Sequence, residues 1–334
     1  MRRFVWMLLF AGWCNLAIAQ DYPSKPIRMI AETAAGGPPD AVIRGLADRL
    51  TRVLGQPVVV ENRSGGQGVV SAQALMQSPA DGYTMLQMGS PAAMMTPIMS
   101  TKPGFDTLRD FAPLAQIGVS KPALAVHPSI AANTVKELLE LARAQPGKIN
   151  VGTAGPASSA YLIMEWLRHA RGINMYDVPY KSPPAAMLAL LAGDVHVVVF
   201  AVGSAMSHAK AGKLKILGVN ADEPSQLFPE LPLLKNGGIE IVPPSWFGLF
   251  MRTGTPPDMV NTLNRAIARV FAEPDFVPTV LHRVGYEPNA ITAAPAEVFA
   301  KFLKEDYELH LRLKRGASVP LLKEVIQTFI PEQL

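Results

Sequence analysis

The residues best placed to do chemistry stand in five short stretches, 32–40, 89–91, 152–159, 180–184 and 201–204, each following an apolar run. Glycine, serine and threonine dominate them, which lets a ligand approach the backbone closely. The unpaired amides at a helix start, at the positive end of its dipole, favour an anion. A carboxylate held by such amides and by hydroxyls needs no fixed arginine. Any one of these stretches is equally an ordinary turn whose glycines only relieve backbone strain. Several of them facing one cleft make the anion-binding reading the stronger.

Catalytic readings find less support. There is no Gly-x-Ser-x-Gly elbow. Gly66-Gln67-Gly68 with Ser71 resembles a dinucleotide fingerprint without its third glycine, and no acidic residue closes the following strand. None of the six histidines forms a His-x-x-x-His or His-Glu-x-x-His pair, so no metal site is expected. His196, inside an apolar run, reads as a hydrogen-bonded core residue. Met85, Met88, Met94, Met95 and Met99 read as gap-filling core. No catalytic residue, metal or cofactor is assigned.

Residues 1–20 read as a cleavable export signal: Arg2 and Arg3, an apolar run at 4–11, and Ala17-Ile18-Ala19 as the small-x-small cleavage pattern. Gly12 and Asn15 interrupt the run before it reaches the roughly 20 residues of a spanning helix. No later stretch is apolar enough for stable membrane insertion. The single cysteine, Cys14, lies in this segment. The mature chain therefore has no means to form a disulfide, a thiolate metal site or a cysteine nucleophile. Removing Arg2 and Arg3 from the 31 Lys+Arg leaves 29 against 27 Asp+Glu, a balance that argues against nucleic acid.

Stepping from the loops to their supports, the chain alternates strand and helix. An apolar strand at 27–31 is broken by Gly36, Gly37, Pro38 and Pro39, and Asp40 stands where a helix N-cap belongs. Val42, Ile43, Leu46, Ala47, Leu50, Val53 and Leu54 then repeat at helical spacing up to Gly55. A strand at 58–60, a helix ending at Met76 and a strand at 83–88 complete a unit expected to hold a parallel sheet covered on both faces. The stretch 91–111 is less regular. A second unit begins near Lys121: strands at 123–127, 149–151, 174–178, 195–200 and 214–219 alternate with helices, the first opened by a Thr134/Glu137 capping box. The tail adds an apolar crossing at 246–251 and helices at 257–271 and 295–314, too few strands for a third domain. The tail is therefore expected to return to the first unit: lobe one from 21–120 plus 245–334, lobe two from 121–244. Two chain crossings make a hinge, and the cleft between the lobes is the default site.

The motifs support this from another direction. Tyr22-Pro23-Ser24-Lys25-Pro26-Ile27-Arg28, Ala35-Gly36-Gly37 with Asp40, Leu54-Gly55-Gln56-Pro57 through Arg63, Pro79-Ala80-Asp81-Gly82-Tyr83-Thr84, Phe111-Ala112-Pro113, Pro146-Gly147-Lys148-Ile149-Asn150, Val178-Pro179-Tyr180-Lys181, Ala211-Gly212-Lys213-Leu214 and Ser245-Trp246-Phe247-Gly248-Leu249 occur in one order. Together they resemble the Bug family, the receptors of tripartite tricarboxylate transporters, over essentially the whole mature chain.

The resemblance implies a type II periplasmic binding protein: two doubly wound α/β lobes joined by a two-segment hinge, monomeric, closing on a small organic acid in the periplasm. By that resemblance the ligand contacts are Thr33, Ala34, Gly36, Gly37, Asp40, Ser90, Thr153, Ser158, Ser159, Tyr180 and Ala201. Asp40 has two readings, ligand contact or helix cap, of which the cap is favoured. Departures from the family pattern bear on specificity. Ala31-Glu32-Thr33-Ala34-Ala35-Gly36-Gly37 stands where Val-Pro-Phe-x-Pro-Gly-Gly is common, and Ala201 follows Phe200 where an aspartate often does. Loss of that aspartate argues against an α-amino acid ligand and for one outside the usual small dicarboxylates. Glu32 reads equally as a new charge near the cleft or as a solvated loop residue. The implied partners are membrane permease subunits. Alternatives left open by the sequence are a sensor partner of a membrane kinase and a secreted α/β hydrolase-like enzyme.

Overall fold

In the computed structural model, residues 22–100, 102–155, 158–221, 223–240 and 245–314 are described; the export segment and Cys14 lie outside them. The first lobe begins with β1 (Ile27–Ala31), α1 (Pro38–Leu54), β2 (Val58–Asn62), a 3₁₀ turn at Gly66–Gly68, α2 (Val69–Met76) and β3 (Thr84–Gly89). The periodic apolar residues of α1 bury Val42, Ile43, Leu46, Ala47 and Leu50 against the sheet, and Gly55 ends the helix at φ +67°. The helix starts one turn earlier than expected. Gly37 is its N-cap and Pro38 its first residue, so Asp40 sits in the first turn and is not the cap. Proline fits that first position because its missing N–H would have had no intrahelical partner.

The stretch read as irregular contains a π-helical turn at Pro91–Met95, α3 (Thr96–Met99), α4 (Thr107–Asp110) and then β4 (Phe111–Ser120), a long strand that the sequence reading missed. Pro113 and Gly118 interrupt its apolar pattern. β4 is held chiefly by its partner rather than by alternation of its own residues.

The second lobe runs through β5 (Pro122–Val126), α5 (Val135–Ala144), β6 (Asn150–Thr153), α6 (Ser159–Arg171), β7 (Tyr176–Pro179), α7 (Pro183–Ala192), β8 (Val197–Ala201), α8 (Val202–Lys210) and β9 (Lys215–Val219). Thr134 caps α5 by accepting from the Glu137 amide, while the Glu137 carboxylate reaches back to the amide of Asn133 at 2.6 Å. The ring of His196 accepts from the Asn150 amide at 2.9 Å. The chain then returns as β10 (Ser245–Arg252), α9 (Pro257–Phe271), β11 (Tyr286–Glu287) and α10 (Ala296–Lys314).

The first sheet has the order β11-β4-β10-β3-β1-β2 and the second β7-β6-β8-β5-β9. Neither is purely parallel, although a parallel sheet was expected of the first. β10 runs antiparallel to both β3 and β4, and β5 antiparallel to both β8 and β9. These are the strands that enter or leave a lobe, and a strand arriving from the junction must run against those that end there. Apolar layers cover both faces of each sheet: Ile43, Leu46 and Leu263 on one face of the first, Trp246, Phe250 and Phe299 on the other; Leu138, Ile163 and Leu167 against Met187, Leu190 and Val202 in the second.

Candidate functional site

Register places the site. β4 ends at Ser120 and β5 starts at Pro122, so the chain changes lobes across Lys121; the return crossing ends at Ser245, which pairs with Ser120. Two residues further on, Phe247 pairs with Gly89, the last residue of β3, and β1 runs parallel to β3. The carboxyl ends of β1 and β3 therefore lie at the crossings. In the second lobe Pro122 pairs with Ala201, the last residue of β8, and β6 and β7 run parallel to β8. Their carboxyl ends lie at the crossings too. Both sets of βα loops thus open toward one junction, as ligand loops of open α/β sheets do. The lobes touch where Gly203, in the first turn of α8, meets Gly285: a Cβ on Gly203 would stand 3.4 Å from the Gly285 Cα.

In the first lobe Ala34 and Gly36 are exposed and Gly37 is partly so. The Thr33 hydroxyl is buried without a partner among the described residues, and its carbonyl accepts from the Asn62 amide. Asp40 is buried and committed inward: its carboxylate accepts from the amide of Gly36 (2.9 Å), the guanidinium of Arg44 (2.9 Å) and the side-chain amide of Asn62 (2.8 Å). Burial pushes this carboxyl up, but those three donors outweigh burial and hold it below the usual carboxylate range. Asp40 therefore braces the 32–37 loop. With Pro38 and Pro39 lacking N–H groups, α1 has few amides to spare for an anion. Ser90 is buried at the end of β3, its hydroxyl 3.4 Å from the Trp246 amide.

In the second lobe the Thr153 hydroxyl donates to Asp177 at 2.7 Å and accepts from the Gly155 amide. Ser158 caps α6: its oxygen accepts from the amides of Tyr161 and Ala154 and donates to the Gly155 carbonyl at 2.8 Å. Such a cap is worth about 1 kcal/mol. Ser182 does the same for α7, which begins with two prolines. Ser159 and Tyr180 are partly exposed, with the Tyr180 amide tied to the Thr153 carbonyl. α8 differs. Ala201 is its N-cap and carries no side chain able to take an amide. The first-turn amides of α8 are left for another acceptor, at the point where the lobes meet.

Three residues at the junction were not assigned from sequence. Glu32, held there as either charge or loop, is turned inward: its Oε2 accepts from the Gly89 amide at 3.2 Å, and Oε1 stands beside the same glycine. Burial without a cation raises its carboxyl to about 8, opposed only by that amide. Tyr286 lies near enough for burial first, and the Glu32 charge second, to raise its phenol. Asp177 orients Thr153. Gly68, at φ +91°, lets its turn press on the π-helical segment beneath Glu32, where a Cβ would meet that of Ala92 at 2.7 Å. Among the described residues no cluster of His, Cys, Asp or Glu is able to hold a metal ion.

Comparison with known proteins agrees with this geometry. The family described as the tripartite tricarboxylate transporter family receptor matches residues 42–313. A Cupriavidus necator protein encoded in the gbd 5′ region is 34% identical over 261 residues, 78% of this chain and 79% of that protein. Protein BugT of Bordetella pertussis is 34% identical over 260 residues, 77% and 79% of the two chains. The solved periplasmic binding protein BugD superposes with a TM-score of 0.73 at 27% identity, covering 88% of this chain and 98% of that one. With its two α/β lobes and the crossings between them, the chain belongs to the tripartite tricarboxylate transporter receptor family.

Proposed function

We propose that this protein is a periplasmic receptor that captures a small organic acid between its lobes and hands it to the membrane subunits of a transporter. The observation that carries the reading is the convergence of β1 and β3 from one lobe, and β6, β7 and β8 from the other, on one junction. Beside it, the first-turn amides of α8 have no side-chain cap and the Thr33 hydroxyl is buried without a partner among the described residues, groups able to take a carboxylate. The family description, a receptor for tricarboxylate transport, supports the ligand class. In this reading residues 21–120 and 245–334 form one lobe and 121–244 the other, residues 1–20 are removed on export, and the protein performs no catalysis. Gly36, Gly37, Ser159, Tyr180 and the space over Ala201 receive the ligand, while Asp40, Thr153 and Ser158 hold the loops that do so.

The test is thermal unfolding of the mature protein against succinate, glutarate, citrate, benzoate and nicotinate, with aspartate and glutamate as amino acid controls. An acid present at 100 times its Kd adds about 2.7 kcal/mol to stability, a readable rise in melting temperature. One or more of the first five raising it, with aspartate and glutamate inert, is the expected result. No response to any acid would end the reading.

A further inference from the structure

Glu32 is a carboxyl at an anion-receiving junction, which is an odd group to place there. It stands at the carboxyl end of β1, on the side of the sheet where the crossings lie, and its Oε2 accepts from the Gly89 amide at 3.2 Å. Among the described residues that amide is the one hydrogen-bond partner of its carboxyl. Arg44 on α1 is taken by Asp40 and Asn62, and Arg63 after β2 by Glu61. Among the described residues, Gly68 from the turn before α2 and Gly89 from the end of β3 stand against it, and Tyr286 from β11 feels its charge; none of the three bears a positive charge. Tyr286 follows Gly285, which touches Gly203 in the first turn of α8, so Glu32 is one step from the contact between the lobes. An ionised carboxylate here would repel the very ligand the junction is built to admit, and would lack a counterion.

We propose that Glu32 is a specificity-determining contact that meets the ligand as a neutral acid, donating its own hydrogen bond to a carboxylate oxygen. Because Oε2 already accepts from Gly89, the proton sits on Oε1, which then acts as the donor that the proline-opened start of α1 fails to supply. Binding is thereby coupled to a proton: a ligand carboxylate arriving beside Glu32 makes its ionisation harder still, so affinity falls once the medium is alkaline enough to strip that proton. The raised carboxyl value agrees with this, since a group that titrates near 8 is mostly protonated at neutral pH. The inference rests on the acid-receptor reading and adds to it the chemical state of one contact.

Calorimetric titration with the acid that most raises the melting temperature, run from about pH 6 to pH 9.5 in buffers of different ionisation enthalpy, tests it. The wild-type protein should lose affinity by up to about tenfold per pH unit above 8, and take up a proton on binding in that range. Glu32→Gln keeps a neutral donor and an acceptor for Gly89, so it should bind within about threefold of wild type at pH 7 with a flat pH profile. Glu32→Lys should bind with altered selectivity and no proton uptake. A wild-type profile flat through pH 9.5, or loss of binding in a folded Glu32→Gln, would overturn the role of Glu32 while leaving the receptor reading intact. Absence of acid binding at every pH would end both.

Discussion

Lys121 in the first crossing and Glu287 on β11 form a buried ion pair, Nζ to Oε2 at 2.9 Å, at the point where the lobes join. The same ammonium donates to the Pro224 carbonyl at 3.1 Å, and the same carboxylate accepts from the Ser225 hydroxyl and the Gln226 amide. One acidic side chain of the first lobe thus holds both a crossing residue and the segment that follows β9 in the second.

Removing one partner leaves the other buried and unpaired, so Glu287→Gln should cost roughly 3 kcal/mol in denaturant unfolding. Burial pushes the Glu287 carboxyl up, but Ser225, Lys121 and Gln226 pull it further down, below its ordinary range. Its contribution is therefore complete above the ordinary glutamate pKa and lost as pH falls through the depressed value. Wild type should destabilise in acid more steeply than Glu287→Gln; equal slopes would show that the pair does not set acid stability.

At the lobe contact, Gly203→Val should act on binding more than on folding. The added side chain would start 3.4 Å from the Gly285 Cα and 3.9 Å from the Val284 carbonyl, with backbone unable to yield. It should prop the junction open and weaken acid binding by about tenfold, equivalent to about 1.4 kcal/mol. The unliganded melting temperature should move little. Unchanged affinity would mean that closure does not bring α8 against this loop.

Asp40 gives a complementary test of a loop brace. Asp40→Ala leaves the Asn62 amide and Arg44 without their shared acceptor and frees the Gly36 amide. A loss of about 1 kcal/mol in unfolding free energy is expected, because the loop loses the acceptor that ties Gly36, Arg44 and Asn62 together. Acid affinity should fall with it, and Asp40→Asn should recover part of both.

The return segment has its own buried network. The Trp246 indole donates to Asp306 at 2.8 Å, and the His310 ring lies 3.3 Å from the other oxygen of that carboxylate. Burial alone would discharge His310, but Asp306 outweighs it and raises the ring above its ordinary value. The pair's contribution is therefore full below about pH 6.5 and lost as pH rises through the raised value. Unfolding midpoints followed upward from pH 6 should decline in wild type and stay flatter in His310→Gln. Parallel curves would place the pH response elsewhere.

The strands and helices with strong apolar periods were legible in the sequence because burial demands them locally: α1, α9 and β1 each show their buried face in their own residues. The alternation of strands and helices, with a tail too short for a third domain, carried the two-lobed plan, and the order of motifs carried the family. Two strands were not legible. β4 is interrupted by Pro113 and Gly118, and β11 spans two residues held by β4; both exist because of a partner distant in the chain. The same limit governed the site. Thr153, Ser158 and Asp40 advertise hydroxyls and charge, yet tertiary contacts spend those groups on their own loops. Glu32 stood out as a departure from the family pattern, yet its sequence did not decide between a charge near the cleft and a solvated loop residue. Only Gly68, Gly89 and Tyr286, contributed by three separate parts of the chain, shield it from water and change what it is able to do. A sequence states which groups are present; the folded chain decides which of them still face a guest, because hydrogen bonds and desolvation depend on neighbours that sequence distance does not specify.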